Sequence, residues 1–515
     1  MSFLLWTVPV LMGFALAPWM MKTFPARRVL VACFLAMAVF MGFSLSYLGI
    51  WQAVPATVVS ALWVVALLLV IGFGSNEVSR PYSGVLFALL LAVAIVPIYS
   101  APVEDLPKPD GPYAVGMKEF VVTDASRPGL RGVAADAPRK ILVRAYYPAG
   151  DVEGLITRPY LMPSEYTVLA EAQASLGQPG FMDSYKQYIS SNTYKNAPVS
   201  QDGNFPVVLF SHGFTGPMAE NLFIVENMVS RGHVVFMASH PGNTRAVIYP
   251  DGTHKMIDSS VTDAMSAAMA QMMTGEAEAY TSLDDYWDAG EPFLMGASPM
   301  FADAIHIWRD DMIAIADALF AGEVDPEIVP VWEAVDSSNF AYVGMSFGGS
   351  IAAISCQADP RCGLAISLDG NNFDAALVNS QIRMPVLSIQ APLGAFPGSE
   401  SMVGIGLEGG NDLSFEPIAQ AGQSGLVTRA IIADTKHLSF SDNASFWRGP
   451  VRGVFMVGSL PADETNATIN GLIGAGLDQY FRGQAGAIDT YVASDANTRI
   501  YSLAPVAEWA RQRGL

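Results

Sequence analysis

Hydrophobic positions along this chain follow two regimes. Through the first hundred residues they are nearly continuous, in four apolar stretches at Phe3–Met20, Val29–Ile50, Val54–Gly72 and Val85–Tyr99. A helix needs about 20 apolar residues to cross about 30 Å of hydrocarbon. The second and third stretches meet that length, the fourth is short, and Pro9 and Pro18 interrupt the first. The expectation is a transmembrane region of about four helices over residues 1–100. A cleaved leader fits the first stretch poorly. Met1 to Trp6 carries no basic residue, and Pro18 directly follows the only small-residue pair resembling a cleavage site, Ala15 and Ala17.

Residues 101–117 separate the regimes. Ala101–Tyr113 holds four prolines in thirteen residues, which predicts a stiff, extended linker. From 118 to 515 the pattern changes to short apolar runs separated by longer helical segments. Strands are expected at Glu119–Thr123, Lys140–Tyr147, Pro206–Ser211, His233–Ser239, Phe340–Met345, Leu364–Asp369, Pro385–Gln390 and Thr428–Ala433. Several are apolar throughout, as strands covered on both faces should be. This alternation predicts an α/β fold with a mostly parallel sheet flanked by helices. Residues 244–322 form an insertion rich in Met and Ala with an acidic middle. It reads as helical, either a cap over the site or a crossover helix.

Composition sharpens the division. The chain is 51% hydrophobic and 15% charged, with a mean hydropathy of +0.32, against about 25% charged for soluble domains. Its net charge is −20. The first hundred residues hold only Lys22, Arg27, Arg28, Glu77 and Arg80, a net +3, so the remainder carries −23. That balance excludes nucleic acid, which needs clustered Lys and Arg. The basic residues lie in the links between stretches one and two and between three and four; the link at Trp51–Pro55 has none. With basic links cytoplasmic, the N-terminus and everything after Tyr99 lie outside, on the periplasmic or extracellular side.

Three cysteines make no disulfide framework. Cys33 reads as a small apolar residue of a span. Cys356 and Cys362 are expected as two buried free thiols, with pairing left open in an oxidising compartment. No His or Cys cluster has metal-ligand spacing and no Gly-rich phosphate loop occurs, so neither metal nor cofactor is expected.

The chemistry centres on one turn. The apolar run Phe340–Val343 leads into Gly344-Met345-Ser346-Phe347-Gly348-Gly349, followed by a helix-compatible run. This is the strand–turn–helix setting of a nucleophile elbow, with Gly344 and Gly348 flanking Ser346 where the turn is too tight for side chains. The bare motif is weak evidence; its context adds the rest. A serine nucleophile needs a base, and in this order of elements the acid and then the histidine follow the serine. Of six histidines only His437 follows Ser346. Asp369, ending a predicted strand, is the expected acid, ahead of Asp359, Asp374, Asp412 and Asp434. Two backbone N–H groups should meet the developing oxyanion. They are expected from Phe347 and from Phe214, in the loop Ser211-His212-Gly213-Phe214-Thr215-Gly216. His212 is expected to anchor that loop.

On these residues the chain resembles the platelet-activating-factor acetylhydrolases of the plasma (group II) type, a branch of the α/β-hydrolases. The matching pieces are Leu209–Gly213, Gly344–Gly349, Arg361–Ala365, Leu368-Asp369 and His437–Asp442, and the resemblance runs from about Leu142 to Phe481. It implies a Ser346–His437–Asp369 triad, Phe214 and Phe347 as oxyanion donors, and calcium-independent release of short or oxidised acyl chains from phospholipids. His240-Pro241-Gly242-Asn243-Thr244 is also similar to bacterial esterases and dienelactone-hydrolase-like proteins. The four apolar stretches are foreign to the secreted plasma enzymes.

The leading expectation is therefore a membrane-anchored serine carboxylester hydrolase, with a lipid or small ester as substrate and the bilayer as partner. The alternative is an esterase, lipase or polyesterase on soluble esters. A non-catalytic binding module on the same fold ranks third.

Overall fold

A computed structural model describes the chain apart from residues 21–26, 73–79, 129–136, 265–279, 295–301, 372–381, 396–398, 410–423, 502–503 and 515. The four apolar stretches are helices α1 (Ser2–Met20), α2 (Arg27–Tyr47), α3 (Val54–Gly72) and α4 (Arg80–Ser100). Among the described residues two stretches, Arg28–Tyr47 and Trp51–Leu69, are long and apolar enough to cross a membrane. Ser2–Leu16 and Val85–Ser100 are shorter apolar helices. Large apolar side chains point outward on all four, among them Phe3, Phe40, Leu62 and Leu89.

Helices α2 and α3 meet at Gly49–Trp51, and this link rests against the second region. Trp51 Nε1 donates to Met182 O at 3.2 Å, and Tyr188 Oη donates to Leu48 O at 2.6 Å. The proline-rich stretch is extended but packed. Val103 and Leu106 are buried, Leu106 N donates to Ser190 O, and Asp110 pairs with Arg231.

The second region is built on a ten-stranded sheet in the order β12-β11-β10-β9-β8-β4-β5-β2-β1-β3. The strands are β1 (Ala114–Pro128), β2 (Pro138–Ala149), β3 (Thr193–Lys195), β4 (Phe205–Ser211), β5 (Val234–Ala238), β8 (Val335–Met345), β9 (Leu364–Leu368), β10 (Val386–Gln390), β11 (Val427–Ile432) and β12 (Thr498–Ile500). From β5 through β4 and β8 to β11 all pairings are parallel. Strands β4, β5, β9 and β10 are buried along their whole length. Helices cover both faces. Helices α5 (Leu222–Ser230) and α8 (Ala462–Phe481) lie on one, with α6 (Ala302–Ala321) and α7 (Phe347–Ala358) on the other.

The insertion and the cysteines depart from the sequence reading. The insertion opens with a hairpin, not a helix: β6 (Ala246–Ile248) pairs antiparallel with β7 (His254–Met256). Its turn is closed by Asp251 Oδ1 accepting from Thr253 N, and by Gly252 at φ +83°, which glycine alone tolerates readily. Further along the insertion, α6 buries Ile305, Trp308, Met312, Ile315 and Leu319 against the sheet side, as a crossover helix would, while residues 265–279 and 295–301 of the insertion lie outside the described residues. The second correction concerns Cys356 and Cys362, which form a disulfide rather than two free thiols. The turn Asp359–Arg361 folds back on the end of α7, with Cys362 N donating to Asp359 O, and brings the two Cα atoms to 5.2 Å. That lies in the range a disulfide spans.

Candidate active site

Strands β8, β9 and β11 and the end of β4 deliver four segments to one edge of the sheet. Ser346 stands between β8 and α7 with φ +57° and ψ −123°, a conformation that side chains other than glycine seldom adopt. Close backbone approach explains the flanking glycines. A Cβ on Gly344 would lie 2.2 Å from Gly348 O, and one on Gly348 would lie 2.2 Å from Ser211 O. The amide of Ser346 donates to Leu368 O at 2.8 Å, tying the turn to β9.

Asp369 follows β9. Its amide donates to Ile389 O, and its Oδ1 accepts from Ala391 N at 2.9 Å, so two strand ends fix the carboxylate. Oδ2 lies 2.7 Å from His437 Nδ1, and His437 Nε2 lies 2.8 Å from Ser346 Oγ. His437 opens a short turn, His437–Phe440, beyond β11. The run that follows explains how this loop is held. Phe440 O accepts from Asn221 Nδ2, and Asp442 accepts from the amides of Leu222 and Phe223, capping α5.

The loop after β4 runs beside the serine, since a Cβ on Gly213 would lie 3.4 Å from Ser346 Cβ. The Phe214 and Phe347 rings are 5.1 Å apart. Asp359 is engaged elsewhere, by Tyr342 Oη and Arg361. Asp434 turns the chain after β11 at φ +56°. Asp374 and Asp412 lie outside the described residues.

Residues 98–268 match the family model of platelet-activating factor acetylhydrolase, isoform II. Ferulic acid esterase from Streptomyces cinnamoneus shares the fold, with a TM-score of 0.54 and 18% identity over 78% of this chain and 99% of its own. The 98–268 segment is thus similar to this acetylhydrolase family, and it sits on a fold of the α/β-hydrolase type. No curated protein matches it in sequence. The family match takes in the Ser211–Gly216 loop and His240 but ends before Ser346.

Burial works against a charged His437. The hydrogen bond and charge of Asp369, with the charge of Glu220, outweigh it and hold the imidazole pKa above its ordinary value. Sequence reading missed Glu220. Its Oε1 accepts from Gly213 N at 2.6 Å, and burial pushes its carboxyl up to about 7. The one signal for it is an acid directly before Asn221 and the apolar run Leu222–Val225. His212 is buried, with Nδ1 2.7 Å from Gly213 O and Nε2 2.9 Å from Thr244 Oγ1. Burial, then the neighbouring His240, pulls its pKa down to about 3. It is the anchor its position suggested.

Proposed function

We propose that this chain is a serine carboxylester hydrolase held at a membrane, acting on short or oxidised acyl esters of phospholipids. The observation that carries the hydrolytic reading is the chain of contacts from Asp369 Oδ2 through the His437 ring to Ser346 Oγ, at 2.7 and 2.8 Å. Asp369 accepts from Nδ1–H, which fixes the tautomer that leaves Nε2 as base. Ser346 Oγ attacks the ester carbonyl while Nε2 takes its proton. The amides of Phe214 and Phe347 receive the oxyanion. Collapse expels the alcohol, protonated by His437, and leaves an acyl-enzyme. Water, deprotonated by the same nitrogen, then releases the acid.

Three observations support membrane attachment on the outer side. Outward apolar side chains on all four N-terminal helices suit a hydrocarbon surround. The uncharged α2–α3 link rests on the hydrolase domain, at the end of α2 opposite Arg28, as basic residues on the cytoplasmic side require. The Cys356–Cys362 disulfide suits an oxidising compartment. A cavity of about 1050 Å³ opens where α4 leaves the helical region, lined by Tyr99, Glu104, Arg448 and Lys436, the neighbour of His437.

A second reading, hydrolysis of a soluble ester, draws on the esterase that shares the fold. Rates of the full chain in lipid vesicles on short-acyl phosphatidylcholines and on water-soluble aryl and alkyl esters decide between them. Preference for the phospholipid by tenfold or more in kcat/KM is expected. Preference for the soluble esters overturns the lipid assignment.

A further inference from the structure

A second Ser–His–Asp constellation lies in the core behind the proposed site. His240 Nδ1 is 3.0 Å from Asp311 Oδ2, and His240 Nε2 is 3.0 Å from Ser211 Oγ. All three residues have zero exposure, so no substrate reaches them. Asp311 also accepts from Arg139 Nε at 2.5 Å and Nη2 at 2.7 Å. An aspartate paired with a guanidinium is ionised and acceptor-only. The His240 Nδ1 proton therefore points at Asp311, and Nε2 accepts from the Ser211 hydroxyl. Ser211 is the last residue of β4, where the Gly213–Phe214 loop begins.

Aromatic contacts reach the same loop. Trp308 and Asp311 stand three residues apart on α6 and so share one face of the helix. The Trp308 ring stacks on His240 at 3.8 Å and 10°. It also meets Phe347 edge-on at 5.0 Å, His212 at 5.1 Å and Phe214 at 6.0 Å. One helix face thus touches both residues proposed to supply the oxyanion amides.

We propose that Trp308, Asp311 and His240 are positioning residues that fix the oxyanion loop from behind, through Ser211 and through the Phe214 and Phe347 rings. The inference rests on the proposed esterase reading. Desolvating an ion pair brings little net stability against an apolar replacement, whereas a fully satisfied network fixes one geometry. Oxyanion donors need that geometry, because their effect depends on where they are aimed before reaction.

The test uses the full chain with Ser211→Ala, His240→Gln and Trp308→Phe, and with Ile315→Val as a control elsewhere on α6. Each is assayed on an ester and on its thiono analogue, in which sulfur replaces the carbonyl oxygen. Ser211→Ala and Trp308→Phe should lower kcat roughly tenfold to a hundredfold, short of the 10²–10³ that follows loss of a donor. KM should stay within about twofold, and the oxygen-to-sulfur rate ratio should shrink. Ile315→Val should lower Tm without moving that ratio. Should His240→Gln not fold, Ser211→Ala decides, since it removes one oxygen atom. Folded Ser211→Ala and Trp308→Phe proteins with wild-type kcat and ratio overturn the inference. Full activity in folded Ser346→Ala would instead sink the esterase reading beneath it.

Discussion

Glu220 Oε1 accepts the Gly213 amide at 2.6 Å while the charge of the same carboxylate acts on His437. One side chain thus bears on the proposed oxyanion loop and on the proposed base. Glu220→Gln keeps an acceptor for the amide and removes the charge. His437 works as a base only when neutral, so activity falls as pH drops through its raised pKa. Without the Glu220 charge that pKa is lower. The acidic limb of kcat/KM should move to lower pH, by roughly a few tenths of a unit, because Glu220, with a pKa of about 7, is itself only partly ionised there. An unmoved limb, or one shifted upward, contradicts this coupling.

The same carboxyl makes stability depend on pH. Its folded pKa of about 7 lies above the unfolded value of about 4.3. The folded state therefore binds the proton more tightly. This contribution is fully present below about pH 4.3 and is lost as pH rises to about 7. Between pH 5 and 7.5, Tm of Glu220→Gln should fall less than that of the parent. Parallel Tm curves would show that Glu220 titrates as an ordinary surface acid.

Asp369→Asn should leave the backbone intact, because Ala391 N still finds an acceptor, but it unsettles the His437 tautomer. A drop in kcat of about 10⁴ is expected, the scale seen for a triad aspartate. Asp434→Asn should keep kcat within about twofold. The reverse ranking would move the acid to Asp434.

How far the sequence carried the fold depends on the kind of signal. Strands such as Phe205–Ser211 and Leu364–Leu368 are apolar on both faces, so composition alone marks them. Thr193–Lys195 and Thr498–Ile500 are three residues long. They show no periodicity and owe their conformation to the neighbouring strand. The hairpin at 246–256 did carry a signal, Pro250-Asp251-Gly252-Thr253, but the apolar insertion around it reads as helix. In the candidate site, the grouping of Ser346, Asp369 and His437 was legible because each stands at a strand end in a fixed order. His240 and Asp311 were not. They are 71 positions apart, and Asp311 looks like its solvated neighbours Arg309 and Asp310 until the fold buries it.

The disulfide closes a short loop at the end of the helix that carries the elbow. Replacing Cys356 and Cys362 with Ser should lower stability by roughly 2 kcal/mol, the loop-closure scale for so few residues. The elbow sits at the opposite end of α7, so kcat should hold. Denaturant unfolding of parent and double variant, together with their kcat values, checks both halves. Unchanged stability would mean that the pair adds no constraint in the folded chain.

Ser346 is the proposed nucleophile. A fluorophosphonate probe applied to the full-length protein, followed by peptide mapping, tests it most directly. A single adduct on Ser346 is expected, with no labelling of folded Ser346→Ala and loss of ester hydrolysis in that variant. Labelling elsewhere with Ser346 unmodified, or undiminished hydrolysis by folded Ser346→Ala, would contradict it.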